Sequence, residues 1–218
     1  MILDAWWKIV ILVGTLAALR LTVPFMARVP SDFRSAVVEL LDSAILALAL
    51  VFLIIKPFIV QAFWIPSESM LPALHPNDRI LVNKFIYHFR EPRRGDVIVF
   101  QAPSEALIMS FGDNHSKKDY IKRVIGLPGD EIAIHDGAVY VNGKALKEPY
   151  IMEEPPYDFP RNGGAYKVPE GSLFVLGDNR PDSNDSHRWG PLARNRVLGK
   201  AFLIFWPPGR WSIVHGGQ

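Results

Sequence analysis

The spacing of hydrophobic positions changes near residue 65 of the chain. Before that point apolar residues form long, nearly continuous segments, and after it they form short runs bounded by Pro, Gly and charged residues. Long uncharged segments are typical of helices in an apolar environment, whereas short runs rich in Ile, Leu and Val are typical of strands. The pattern predicts N-terminal helices followed by a mainly β domain.

The second of the two apolar segments is the clearer one. Residues 43–55 contain no charged side chain. Counted from Ala36, the segment supplies about 20 helical residues, which a hydrocarbon core of about 30 Å requires. Lys56 would then mark an interface. A buried core helix is the alternative, but an uncharged run with no polar face favours lipid. We predict a transmembrane helix within residues 36–64.

The first apolar segment, residues 6–27, is interrupted sooner. Its uncharged run, residues 9–19, ends at Arg20. A cleaved signal peptide is the alternative, but the start carries few positive charges and no small-x-small site closes the run. We predict that residues 1–35 contain a first transmembrane helix and a cytoplasmic loop.

Charge predicts the orientation of these two segments. The loop between them carries Arg28 and Arg34. Positively charged loops remain on the cytoplasmic side of a membrane. Everything after residue 65 is therefore expected on the outer, extracytoplasmic side of the cell membrane.

The clearest β signal is a hairpin at residues 131–141. Apolar and polar residues alternate on both sides of Asp136-Gly137, and Asn142-Gly143 provides a second two-residue turn. No long amphipathic helix is visible after residue 72, so the fold class is mainly β with antiparallel sheets. Further strands are predicted at 78–84, 96–100, 172–176 and 197–205, and long loops at 102–119 and 149–164.

Composition excludes several classes of site. The chain has 218 residues and no cysteine, so disulfides, thiolate zinc sites and cysteine nucleophiles are excluded. Its 6 histidines include no pair at metal-ligand spacing, and we predict no metal and no cofactor. The net charge of +2 comes from scattered residues, which gives no indication of a nucleic-acid partner.

Candidate chemistry lies just after the second apolar segment. Ser67 and Ser69 lie between Pro66 and Pro72, where the chain would leave a bilayer. A serine nucleophile needs a base, and a lysine can serve only when it is neutral. Burial among apolar groups lowers a lysine pKa from its exposed value of about 10.4. Lys122 has apolar neighbours, but the pattern alone is equally compatible with an ordinary strand lysine.

Four motifs together decide between these interpretations. They are IPSESMLPAL at 65–74, RILVNKF with RRGDVIVF at 79–100, YIKRVIGLPGD at 120–130 and GDNRPDSNDSHRWGPL at 177–192. In type, order and spacing they resemble bacterial type I signal peptidases over about residues 36–207. Members of that family are membrane-bound serine proteases that remove signal peptides from exported preproteins.

The resemblance implies a role for each matching residue. Ser69 would be the nucleophile and Lys122 the general base, working through an acyl-enzyme. The Ser67 hydroxyl and the Ser69 backbone N–H would form the oxyanion hole. Ser183 would hydrogen-bond and orient the lysine. The scaffold residues of the site would be Asp178, Asn179, Arg180 and Asp185.

The resemblance also implies the substrate and its surroundings. Shallow apolar pockets would select small side chains, giving cleavage after Ala-x-Ala sites, with the lipid bilayer and the secretion translocon nearby. A plain core role is the alternative for each pocket residue. The pocket residues implied are Phe63, Ile65, Met70, Leu74, Tyr120 and Ile121.

Three positions depart from the family pattern. Glu68 stands where glycine or another small residue is usual, and Ala73 replaces a frequent threonine. His187 replaces an arginine that pairs with the aspartate matching Asp185. That ion pair is weakened unless Arg188 or a protonated His187 substitutes.

The domain organisation and two alternatives complete the interpretation. The catalytic β domain is expected at 65–130 and 175–218, with a small hairpin-based second domain at 131–174. A self-cleaving repressor-type Ser/Lys protease shares the chemistry and a β fold, but carries a DNA-binding domain in place of the apolar segments. An inert membrane-tethered β module is the second alternative.

Overall fold

The computed structural model describes residues 3–25, 30–51, 59–111 and 118–216. The chain divides into two compact units, Met1–Ile59 and Val60–Gln218. Every candidate site residue predicted from the sequence belongs to the second unit.

The described residues of the first unit form two α-helices, α1 at Leu3–Thr22 and α2 at Ser31–Leu50, with a 3-10 turn at Val23–Phe25 after α1. The Arg20 guanidinium donates to the Asp42 carboxylate at 2.8 Å and so links them. Within the described ranges, neither helix combines the length and hydropathy needed to cross a membrane. Large apolar side chains are nevertheless exposed on both helices, namely Ile11, Leu12, Leu19, Leu21, Phe33, Leu40, Leu46 and Leu50.

The helix predicted within residues 36–64 has different bounds. It begins earlier, at Ser31, and residues 52–58 lie outside the described ranges. Val60–Trp64 is a strand, β1, and not part of the helix. It pairs with a neighbouring strand from Val60↔Asn83 to Trp64↔Arg79. Aromatic and β-branched residues fit such a half-buried pleated surface, so cross-strand pairing overrides the apolar helical pattern here.

Over the described ranges, a main antiparallel sheet of eight strands forms most of the second unit. Its order is β1-β2-β11-β3-β4-β9-β10, and β12 pairs with β11. The strands predicted at 78–84, 96–100, 172–176 and 197–205 are confirmed. The strands after β1 are β2 Arg79–Asn83, β3 Val97–Gln101, β4 Asp119–Gly126, β9 Ser172–Leu176, β10 Leu192–Ala193, β11 Val197–Trp206 and β12 Ser212–Ile213.

A second antiparallel sheet contains the predicted hairpin. Asp136 and Gly137 both have positive φ, at 50° and 72°, as a type I′ turn requires. The domain boundary predicted at residue 174 lies too late, because β9 begins at Ser172 and pairs with β4 in the main sheet. The strands, in the order β7-β6-β5-β8, are β5 Glu131–His135, β6 Ala138–Val141, β7 Lys144–Ala145 and β8 Tyr166–Lys167.

The two predicted loops have different outcomes. Residues 102–119 contain a helix, α3 at Ser104–Phe111, and residues 112–117 of that stretch lie outside the described ranges. Residues 149–164 form neither helix nor strand apart from one bridge, Ile134↔Phe159. A short helix, α4 at Ser186–Trp189, follows β9.

The strand β4 lies in the interior of the second unit. Six consecutive residues of β4, from Ile121 to Gly126, are buried. β4 lies between β3 and β9, so both of its edges are paired. Any polar side chain on this part of β4 is therefore removed from solvent, and it must find a partner inside the protein.

Candidate active site

Ser69 and Lys122 are in direct contact. Ser69 lies in the turn that follows β1, and Lys122 lies in β4 opposite Ile98 of β3. The Lys122 amine donates to the Ser69 hydroxyl oxygen at 2.6 Å. Lys122 is 3 % exposed, so the contact is shielded from water on the lysine side. The two residues are far apart in sequence, and the pairing of β4 brings them together.

Burial changes the acidity of the lysine. Desolvation lowers the pKa of Lys122 from 10.5 to about 8, against the opposing charges of Asp185, Asp178 and Asp182. Desolvation outweighs these carboxylates because the ammonium loses its hydration and none of them contacts it directly. A fraction of Lys122 is therefore neutral near pH 7, as general-base chemistry requires.

The two residues that precede the nucleophile are exposed. The Ser67 and Ser69 hydroxyl oxygens lie 3.3 Å apart, so Ser67 has a polar group beside the atom that would attack. Glu68 is exposed, and its backbone carbonyl accepts a hydrogen bond from Asn179 Nδ2 at 3.2 Å. The glutamate at this unusual position thus contributes its backbone to the turn.

A second turn, Gly177–Arg180, packs against the backbone of the turn that carries Ser69. The Asn179 backbone N–H donates to the Ser69 carbonyl at 3.2 Å. A Cβ placed on Gly177 would collide with the Ser69 carbonyl oxygen and with the Ser183 side chain. The close approach of the two turns therefore requires glycine at position 177.

Two buried ion pairs hold the Gly177–Arg180 turn. Arg123 Nη2 and Nε donate to Asp178 at 2.6 and 2.8 Å, and both side chains are almost wholly buried. Arg180 Nε donates to the Gly177 carbonyl at 3.0 Å, and its other nitrogens bind Glu148. Bidentate pairs of this kind fix geometry as well as charge.

Asp185 has a histidine partner in place of the family's arginine. The His187 ring donates from Nδ1 to Asp185 Oδ1 at 2.6 Å, and the Gly177 N–H donates to Oδ2 at 2.9 Å. Arg188 Nε donates to His187 Nε2 at 3.3 Å, which fits a neutral ring that accepts at Nε2. Burial alone would raise the pKa of Asp185, but the interactions with His187 and with the Gly177 N–H together outweigh burial and hold this pKa below its usual value.

Ser183 does not make the predicted contact with the lysine. It is buried close to Gly177, but its hydroxyl has no hydrogen-bond partner among the described residues. In this structure Lys122 is oriented by Ser69 and by its burial in β4.

A cleft of about 550 Å³ opens at the contact between Ser69 and Lys122. Of the predicted pocket residues, Tyr120 and Ile121 line it. The other four pack into the hydrophobic core of the main sheet, where Met70 and Leu74 are fully buried. The lining residues are Pro66, Ser67, Glu68, Ser69, Lys118, Asp119, Tyr120, Ile121, Lys122, Asp182 and Asn184.

The sequence patterns missed two residues that support the site. Arg123 follows the candidate base directly, and its place within a matched motif was a usable signal. Glu148 lies outside every motif, in the segment after β7, and no local signal marks it. Over the described ranges, no group of three or more His, Asp or Glu side chains is placed to hold a metal ion.

Comparison with known proteins shows which family shares this sequence. Residues 37–206 match the family described as signal peptidase, peptidase S26. This range includes all of the motifs and both residues of the Ser69–Lys122 contact. The chain belongs to the S26 signal peptidase family. It is a serine peptidase, a hydrolase of peptide bonds, and the enzyme class expected from the sequence is confirmed.

Individual members show the extent of the similarity. A signal peptidase I of Leptolyngbya laminosa is 49 % identical over 157 residues, covering 72 % of this chain and 73 % of that protein. A probable signal peptidase I-2 of Synechocystis is 46 % identical over 161 residues, covering 73 % and 69 %. A signal peptidase I of Bacillus caldolyticus is 37 % identical over 166 residues, covering 70 % and 83 %.

Proposed function

We propose that this S26 peptidase removes signal peptides from exported preproteins with Ser69 as nucleophile and Lys122 as general base. The observation that carries the proposal is the 2.6 Å contact between the Lys122 amine and the Ser69 hydroxyl, with the lysine buried. The relatives named signal peptidase I supply the substrate class.

The first step is acyl transfer. Neutral Lys122 accepts the Ser69 hydroxyl proton as the serine oxygen attacks the scissile carbonyl carbon. The carbonyl oxygen becomes an oxyanion, which the Ser69 backbone N–H and the Ser67 hydroxyl stabilise. The tetrahedral intermediate then expels the amine of the mature protein, which takes the proton from the Lys122 ammonium. An ester between Ser69 and the signal peptide remains.

The second step is hydrolysis of that ester. Lys122, neutral again, accepts a proton from a water molecule that attacks the ester carbonyl. The new tetrahedral intermediate releases the signal peptide as a carboxylic acid, which then loses its proton to solvent, and the Ser69 oxygen regains its proton from Lys122. No metal or cofactor takes part in either step.

The cleft supports selection of small side chains beside the cut. Tyr120 and Ile121 precede Lys122 on β4 and line the cleft next to Ser69, so large side chains there would compete for limited space. We propose cleavage after Ala-x-Ala sites. Contact of Phe63, Ile65, Met70 and Leu74 with substrate remains a prediction.

The location proposed for the enzyme is the lipid bilayer of the cell membrane. The exposed apolar side chains of α1 and α2 support contact with lipid, because such contact removes apolar surface from water, which is favourable. The peptidase unit would then work on the extracytoplasmic side, near the secretion translocon, where signal peptides leave the membrane. Carbonate extraction of membranes and protease accessibility in intact cells would test this placement.

A cleavage assay tests the chemistry. The full chain in detergent is incubated with a preprotein that carries an Ala-x-Ala site, beside Ser69→Ala and Lys122→Ala variants. We expect cleavage by the parent enzyme and a fall of at least about 10³-fold in kcat for either variant. No cleavage by the parent, or unchanged cleavage by both variants, rules out the proposed dyad.

A further inference from the structure

The segment between β7 and β8 contacts residues that support the Ser69–Lys122 pair, and it does so outside the cleft. The residues between β7 and β8 form no strand apart from the bridge at Phe159, yet the Glu148 side chain is only 5 % exposed. Acidic side chains are almost never buried unless they are paired. Glu148 does not line the cleft, and the peptidase mechanism does not use it. Its burial therefore calls for another function.

Glu148 holds the buried arginine of the Gly177–Arg180 turn. Its two carboxylate oxygens accept from Arg180 Nη2 and Nη1 at 2.6 and 2.7 Å. The third nitrogen, Arg180 Nε, donates to the Gly177 carbonyl at 3.0 Å. Because a guanidinium is rigid and planar, clamping one side of it sets the position of the opposite side. Glu148 thereby fixes the Gly177 carbonyl.

This chain of contacts continues to the nucleophile. Gly177 lies so close to the Ser69 carbonyl that it has no room for a side chain. The Asn179 N–H in the same turn donates to that carbonyl at 3.2 Å. Any shift of the turn therefore moves the Ser69 backbone as well.

A parallel route leads to the strand of the base. The Tyr150 hydroxyl donates to Glu148 Oε1 at 2.8 Å, and the Tyr150 ring lies 4.0 Å from the Arg123 guanidinium carbon. Arg123 follows Lys122 in β4 and is bound to Asp178. Glu148 is thus connected to the turn that holds Ser69 and to the strand that carries Lys122.

We propose that Glu148 is a positioning residue for the Ser69–Lys122 pair. It sets the distance between nucleophile and base through Arg180 on one side and through Tyr150 and Arg123 on the other. This inference rests on the proposed function of that pair. Because Glu148 does not touch the cleft, it affects kcat and leaves KM unchanged.

The first test uses single variants of the full chain in detergent, with the Ala-x-Ala preprotein as substrate. Glu148→Gln is expected to lower kcat per folded enzyme by about tenfold or more, since small misplacements of reacting groups have large effects, with KM within about twofold of the parent. Tyr150→Phe removes only the hydroxyl and is expected to lower kcat by about two- to fivefold. Glu153→Gln, an exposed residue of the same segment, is the matched control and should leave kcat unchanged.

A double variant separates positioning from stability. Glu148→Leu combined with Arg180→Met replaces the buried pair by apolar side chains, which commonly preserves folding. We expect the melting temperature to recover to near the parental value while kcat stays low, because nothing then holds the Gly177 carbonyl. Recovery of kcat together with stability would show that Glu148 acts only on folding, and would overturn the inference.

Other results distinguish this inference from the proposed function. Parental kcat in both Glu148→Gln and Tyr150→Phe overturns the role of Glu148 while Ser69→Ala remains inactive. Cleavage that does not depend on Ser69 overturns both proposals together.

Discussion

Lys122 and Arg123 are consecutive residues of β4, yet their side chains bind on opposite faces of the strand. The Lys122 amine contacts Ser69 at 2.6 Å, and the Arg123 guanidinium contacts Asp178 at 2.6 Å. Successive side chains of a strand alternate between faces, so one face carries the candidate base and the other its buried support.

The rate should depend on pH through Lys122. Burial lowers the pKa of this lysine to about 8, and only the neutral form can accept the Ser69 proton. We expect kcat/KM to rise about tenfold per pH unit below pH 8 and to level off above it. Steady-state kinetics across pH 5 to 9 in detergent check this. A flat profile across that range contradicts a lysine base.

The same pKa shift predicts how stability depends on pH. The folded pKa of Lys122, about 8, lies below its unfolded value, so between these values the unfolded state binds more protons. The cost of burying the Lys122 charge therefore applies in full below pH 8. This loss of stability shrinks as pH rises towards 10.4. Lys122→Met should raise the free energy of unfolding by about 3 kcal/mol at pH 7, the equivalent of about two and a half pKa units.

Denaturant unfolding at pH 7 and pH 10.5 measures this gap. It should close almost completely at the higher pH, where Lys122 is neutral in the folded state and only about half protonated in the unfolded state. Lys147→Met, at an exposed lysine, is the control and should show no comparable change. A gap of the same size at both pH values would argue against charge burial as its cause.

Gly177→Ala should lower kcat strongly and the free energy of unfolding only modestly. The added methyl group meets the Ser69 carbonyl and the Ser183 side chain. The Ser183 side chain can rotate, whereas the contact with Ser69 is with its backbone, so the main chain of one of the two turns must shift. We expect kcat to fall by about 10²-fold, the usual consequence of a shift of about 1 Å. Gly209→Ala, at a glycine with nothing near its missing Cβ, should behave as the parent in the same assay.

Asp178→Asn should lower the free energy of unfolding. It leaves the Arg123 guanidinium buried without its counter-ion. Breaking a buried ion pair from one side costs about 3–5 kcal/mol, because an uncompensated charge remains. Chemical denaturation at pH 7 measures the loss. A change below about 1 kcal/mol would mean that the carbonyls of Gly95 and His215, which also accept from Arg123, satisfy the charge without Asp178.

Sequence patterns correctly predicted the elements that form through interactions between residues close together along the chain. The hairpin at residues 131–141 followed from alternation and from the turn at Asp136-Gly137, since both act over a few residues. Residues 60–64 were wrongly expected in a helix, because their pairing with β2 depends on residues far along the chain. The helix α3, within a predicted loop, was missed for want of a long periodic pattern.

The sequence by itself determined the mainly β class, the family and the candidate pair Ser69 and Lys122, because motif type, order and spacing are properties of the linear chain. Only the tertiary structure decided that the pair touches, that burial lowers the lysine pKa, that His187 binds Asp185 and that Ser183 is not bonded to the lysine. It also decided that Glu148 binds Arg180 outside the cleft. The physical reason is that burial and long-range contacts depend on strand register and packing, which no short stretch of sequence encodes.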